Sequence, residues 1–237
     1  MKEPVMVERH GNIYVVRDDL FPGGSKARFL PALIGDAKEI VFGGPCMGGA
    51  PVALSVVGKQ MKRKITLFYA KRKVLHRRQQ QAQANGARII EVPMGFISNV
   101  QAKARAYCAR TGALFLPLGF DRPDAREPYV AAMTQVHKMV GDVDEVWCAT
   151  SSGMLTFCLA LAFPNSHIRG VAVGLASRWT KQKFPSNVEV VQSRYKDLGT
   201  PCPQKAPFPI CPHYEAKVWE HAKDTKKLAL FWNVIGA

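Results

Sequence analysis

Acidic residues are nearly absent from one third of this 237-residue chain. From Ile40 to Phe120 there is one acid, Glu91, against thirteen Lys or Arg, so this segment carries +12 of the total +15. The other 156 residues carry +3. Such segregation makes a positive field over one part of the surface and points to a polyanionic partner, nucleic acid first. Long apolar runs are also missing. The longest, near Leu155–Phe163, is too short to span a bilayer, and the start, MKEPVMVERHG, has no apolar signal region. The expectation is a soluble cytoplasmic protein with no membrane partner. Cysteine pairs are missing too. Residues 46, 108, 148, 158, 202 and 211 form no CxxC, which predicts reduced, mostly buried thiols. Cys202, Cys211, His213 and His221 fit no zinc spacing, so no metal site is expected. Gly43–Gly49 lacks the Gly-Lys-Ser/Thr ending of a P-loop, and Cys148–Ala160 is not G-x-S-x-G. Neither a nucleotide P-loop nor a nucleophile elbow is present.

What remains is a regular alternation of short apolar runs and amphipathic stretches. Strands are predicted at Ile13–Arg17, Ile40–Phe42, Ile65–Tyr69, Ile89–Val92, Leu114–Leu116, Glu145–Ala149, Ile168–Leu175 and Leu228–Trp232. Helices are predicted over 26–36, 50–59, 75–85, 100–110, 129–140, 155–163 and 217–223. The order predicts an α/β fold with parallel sheets covered by helices. Thr200–Pro212 holds five prolines and reads as a long ordered loop or lid.

Two turns carry the chemistry. Arg17–Leu30 reads RDDLFPGGSKARFL and places Lys26 behind two glycines, whose backbone freedom lets a ring approach closely. Cys148–Ala160 reads CATSSGMLTFCLA: a strand, a Ser/Gly turn and a helix start, the parts of an anion site. Together, and in this βα order, the two resemble the lysine segment and phosphate loop of fold-type II pyridoxal-phosphate enzymes, the tryptophan synthase β superfamily. The aminocyclopropane-carboxylate deaminase and D-cysteine desulfhydrase branch, with R-E-D followed by G-G-x-K-x-R, is the nearest likeness. The resemblance implies two parallel-sheet α/β domains with the cofactor in the cleft between them. The larger would span 1–38 and 121–237, and the smaller, basic one 39–120. It implies pyridoxal 5'-phosphate held by Lys26 as a Schiff base. Its phosphate would be cupped by Thr150, Ser151, Ser152, Gly153, Met154 and Leu155, with a hydroxyl from Thr156, and homodimers are usual. Tyr214, Glu215 and Asn233 are candidates for the ring nitrogen, and Tyr214 alternatively for stacking on the ring. One departure is sharp. Where the family carries G-G-x-x-S-N-Q, Met47 replaces the serine and Gly48 the asparagine, leaving only the backbone amides of Gly48 and Gly49 to line the site. That loss argues against ring-opening deamination and for release of carbon dioxide.

The cations cluster. Lys59, Lys62, Arg63, Lys64, Lys71, Arg72, Lys73, Arg77 and Arg78 fall within twenty residues, with Gln79, Gln80, Gln81 and Gln83 extending the polar surface. Arg178, Trp179, Lys181 and Lys183 form a second group. Phe68, Tyr69 and Phe96 are read as core residues rather than base-stacking ones. An enzyme for free amino acids gains little from such a field, whereas one acting on an amino-acid group attached to DNA gains affinity and approach rate. The chain is thereby similar to the decarboxylating enzymes of bacteriophage thymidine hypermodification, which implies a host-cytoplasm location. Two alternatives stand beside that expectation: a deaminase, desulfhydrase or β-replacement enzyme for a free small amino acid, and a non-catalytic nucleic-acid-binding protein on a decayed enzyme fold.

Overall fold

A computed structural model describes residues 5–93, 96–174, 184–195 and 197–235. The chain forms two compact units, one of residues 1–21 with 126–237 and one of residues 22–125. The expected division places residues 22–38 and 121–125 with the first unit, whereas both fall in the basic one. Residues 22–38 belong there because the Gly23 turn lies against the helix at Ala53, where an added Cβ would come within 3.1 Å of the Ala53 Cα. With these boundaries the basic unit holds seventeen Lys or Arg against five acids, again +12.

The basic unit is a four-stranded parallel sheet. Its strands are β3 (Glu39–Gly43), β4 (Lys64–Ala70), β5 (Arg88–Val92) and β6 (Leu114–Leu116), in the order β5-β4-β3-β6. Three helices connect them: α2 (Ala50–Gln60), α3 (Arg77–Ala84) and α4 (Ile97–Thr111). Alternation along the strands sends Val41 and Phe68 toward Val100 and Ala104 of α4, and Ile65 toward Gly58 of α2. Both faces are therefore buried, which is why these strands read as continuous apolar runs.

The other unit carries β1 (Val7–His10), β2 (Ile13–Arg17), β7 (Glu145–Thr150), β8 (His167–Ala172), β9 (Val188–Gln192) and β10 (Ala229–Asn233). Their order is β1-β2-β10-β7-β8-β9. Among the described residues only the β1–β2 pair is antiparallel. Helices α5 (Pro123–Val140), α6 (Met154–Ala162) and α7 (Glu215–Ala222) complete the described helices after the basic unit. One core face gathers Ile13, Val15, Trp147, Val171, Val218, Trp219 and Phe231. The proline-rich segment contains no helix or strand, as expected, and pins itself to that core through buried Phe208, whose ring centroid lies 5.1 Å from Trp219. All six cysteines are free thiols, five of them buried. Among the described residues no helix is long and apolar enough to cross a membrane.

Candidate active site

Lys26 stands in a 3-10 turn, Ser25–Arg28, half-buried between buried Ser25 and Ala27. The expected helix from Lys26 to Asp36 is divided. The turn ends at Arg28, and a short α1 (Leu30–Ile34) follows. Pro31 explains the division, because it cannot donate to the carbonyl four residues back and its ring crowds that carbonyl. Gly23 (φ +86°) and Gly24 (φ +71°, ψ −170°) precede the lysine. The Gly24 angles belong to a region that is essentially glycine's alone. The sequence Gly-Gly-Ser-Lys thus fixes the direction from which Lys26 leaves the backbone.

The loop after β3 holds the altered Met47-Gly48 pair. The Gly48 N–H donates to the Pro45 carbonyl at 3.3 Å, closing a turn. The amide expected to line the site at Gly48 is therefore spent within the loop. Arg78, counted among the DNA-facing cations, is buried and donates from Nη1 to the Met47 carbonyl at 3.0 Å. It braces this loop and is not a surface cation. Gln79 is likewise buried. It closes the start of α3 by accepting the His76 N–H at 2.8 Å, while His76 Nδ1 accepts the Arg78 N–H at 3.2 Å. That reciprocal cap removes Gln79 from the expected polar surface.

In the other unit, β7 ends in the expected turn. Ser151 is exposed, Ser152 half-buried, and Gly153 is left-handed (φ 84°, ψ −15°) at the N-terminus of α6. That conformation turns the first amides of α6, from Met154 and Leu155, outward with the positive end of the helix dipole. Thr150 and Thr156 lie beneath the turn, fully buried, with their hydroxyl oxygens 2.6 Å apart. Thr156 also meets the Cys148 thiol at 3.4 Å, and burial pushes that thiol up to about 11. The two threonines brace the loop from below. Gly170 on β8 makes room for them, since a Cβ there would stand 2.4 Å from Thr150 Oγ1.

Asn233 ends β10, and β10 pairs with β7, so Asn233 and the Ser151–Gly153 turn leave the same end of adjacent strands. Its Nδ2 donates to the Pro209 carbonyl at 2.9 Å, while Oδ1 is buried with no hydrogen-bond partner. Tyr214 is half-buried and packs against the core cluster that includes Phe208 and Trp219. Glu215 is fully buried and accepts the Cys211 N–H at 3.3 Å. Beside Asn233, and paired with it in register, Arg17 forks onto Asp19 with two 2.9 Å bonds and reaches Glu8 at 2.6 Å. The Arg17 hydrogen bond holds the Glu8 carboxyl below its ordinary range. Asp18, fully buried, accepts from Trp232 Nε1 at 3.2 Å. The Arg-Asp-Asp run is thus an anchor for the ends of β2 and β10. The buried Arg78 brace and the Thr150–Thr156–Gly170 packing had no sequence signal, because each depends on contacts between distant segments.

The remaining cations divide between the two ends of the parallel sheet. Lys62, Arg63 and Lys64 sit at the start of β4. There Lys64 pairs with Glu39 at 3.1 Å, and Arg63 lies 3.8 Å from Asp36. Lys71, Arg72, Lys73 and Arg77 are exposed beyond the end of β4. This is the same end of the sheet as the Met47-Gly48 loop, which follows the adjacent β3. Phe68 and Tyr69 are core residues as expected, but Phe96 is 87% exposed. Arg178, Trp179, Lys181 and Lys183 lie outside the described residues.

Comparison with known proteins agrees with this geometry. No curated protein sequence matches. Among solved structures, a homologue of ACC deaminase superposes with a TM-score of 0.78 at 18% identity, covering 94% of this chain and 84% of its own. A threonine deaminase from T.th. gives 0.74 at 15% identity, covering 98% and 92%. The O-acetylserine dependent cystathionine beta-synthase of Helicobacter pylori gives 0.72 at 16%, covering 100% and 93%. These identities establish the fold. Residues 3–225 match the profile of the pyridoxal-phosphate dependent enzymes, and the chain belongs to that family.

Proposed function

We propose that this enzyme removes carbon dioxide from an amino-acid group carried on a modified DNA base. The observation that carries the reading is the placement of charge. The +12 unit exposes Lys71, Arg72, Lys73 and Arg77 at the end of the sheet that bears the Met47-Gly48 loop. In open parallel sheets, ligands bind beyond the carboxyl ends of the strands.

The residues present fit the cofactor. The outward amides of Met154 and Leu155 suit a phosphate at a helix N-terminus. The Asn233 Oδ1, buried without a partner, suits a protonated ring nitrogen. Its orientation is set by Pro209, whose carbonyl requires the Nδ2 donor on the other side. When bound, pyridoxal phosphate withdraws electrons from the α-carbon of an attached amine, and the protein selects the bond that breaks. Lys26 would be the amine that holds the cofactor between turnovers. With Met47 and Gly48 in place of hydroxyl and carboxamide, and the Gly48 N–H spent on Pro45, the loop offers the substrate carboxylate no hydroxyl, no carboxamide and no Gly48 amide. That favours its departure as carbon dioxide. The Lys26 ammonium then returns one proton to the α-carbon, which replaces the lost carboxylate.

Incubation of the cofactor-loaded enzyme with DNA carrying aminoacyl nucleosides, followed by nucleoside mass analysis, tests the reading. Loss of the mass of carbon dioxide, abolished in Lys26→Ala, is the expected result, and an unchanged nucleoside contradicts it. A second reading has its own support, since the similar structures include a threonine deaminase and a cystathionine beta-synthase. Turnover of a free amino acid without DNA would favour it.

A further inference from the structure

Phe96 and Val74 are the most exposed large apolar side chains among the described residues, at 87% and 75%. Both occupy one edge of the basic unit. Strands β4 and β5 end together, with Ala70 opposite Val92 and the Lys71 N–H donating to the Val92 carbonyl at 2.8 Å. Beyond β4 the chain presents Lys71, Arg72, Lys73 and Val74, all exposed, and then Arg77 at the start of α3. Beyond β5, Phe96 stands immediately before α4. The edge holds four exposed cations, and the acid nearest to them in sequence is Glu91 on β5.

An aromatic face left in water among cations matches a ligand with phosphates and accessible π-faces. Duplex DNA offers the phosphates and hides the base faces in its stack. A single strand, or a strand opened around an extruded base, offers both. We infer that this edge binds single-stranded DNA, with phosphates on Lys71, Arg72, Lys73 and Arg77 and one base stacked on Phe96. The inference rests on the reading of a DNA-borne substrate and adds that the strand must be unpaired where it meets the enzyme.

Fluorescence anisotropy of the full-length, cofactor-loaded protein tests it, using one unmodified labelled oligonucleotide as a single strand and as a duplex. The single strand is expected to bind tighter. Phe96→Ala should weaken it by about fivefold or more, the range for losing one stacked base. Replacing Lys71, Arg72, Lys73 and Arg77 together with Ala should flatten the log–log salt slope by about three. Unchanged cofactor uptake by both variants shows that they fold. Tighter duplex binding, or single-strand binding indifferent to these five residues, overturns this surface and leaves the DNA-substrate reading standing. Binding to anionic vesicles with none to either oligonucleotide overturns both.

Discussion

At the scale of single residues, Gly24 and Asn233 hold positions that backbone angles and hydrogen bonding dictate. Gly24 adopts φ +71° and ψ −170°, so Gly24→Ala should destabilise the chain by about 1–3 kcal/mol, read from urea unfolding. Asn233 presents Oδ1 because Pro209 claims Nδ2. Asn233→Ala should therefore weaken pyridoxal-phosphate affinity by about tenfold in a cofactor titration, the worth of one buried hydrogen bond to a charged group. Unaltered affinity would assign the ring nitrogen to another residue. The Gly-Gly turn before Lys26 and the Ser151–Gly153 turn were legible from the sequence, because glycines with forced backbone angles leave a local signature. Arg78 was not. Its sequence context is a run of surface cations, and only the fold shows it buried against the Met47 carbonyl.

At the scale of elements, the buried strands announced themselves. β3, β4, β7 and β10 are covered on both faces and read as apolar runs, within a residue or two of their observed ends. The strands that escaped, β1 (VERH) and β9 (VEVVQ), lie at the sheet edges, where polar side chains meet water and the apolar signal fades. The α5 helix also starts six residues before its expected position. Pro128 lies inside this helix, where it removes one backbone hydrogen bond without ending it. Packing below the Ser151–Gly153 turn is close at Gly170. Gly170→Ala would drive a methyl into the Thr150–Thr156 pair and should cost about 1–3 kcal/mol in chemical denaturation, the usual penalty for overpacking. At the opposite end of β7, Glu145 receives Trp147 Nε1 at 3.0 Å and Thr225 at 3.1 Å, with Lys227 at 3.2 Å and Arg169 at 3.3 Å. Burial pushes its carboxyl up, but the hydrogen bonds from Lys227, Thr225 and Trp147 and the Arg169 charge outweigh burial and hold it below the ordinary 4.5. A lowered folded-state value means the clamp is fully in force above 4.5 and is lost as pH falls through that lower value. The melting temperature should drop in this acid window, and Glu145→Gln should flatten the drop while lowering stability at neutral pH.

At the scale of the whole molecule, the chain combines the fold of a pyridoxal-phosphate enzyme family with positive charge concentrated in one unit. The +12 of the basic unit survives the redrawn boundary, because the acids gained with residues 22–39 and 121–125 come with an equal number of cations. Charge segregation was therefore readable from the sequence. Which cations reach solvent was not, since pairing with Glu39 and Asp36 and burial of Arg78 are properties of the fold. All of the proposed chemistry depends on one covalent attachment, that of the cofactor to Lys26. Borohydride reduction of the loaded protein, followed by peptide mass mapping, reads that attachment out. A stable pyridoxyl-phosphate adduct is expected on the peptide containing Lys26 and on no other lysine. An adduct on a different lysine, or none in a protein that has bound the cofactor, would contradict it.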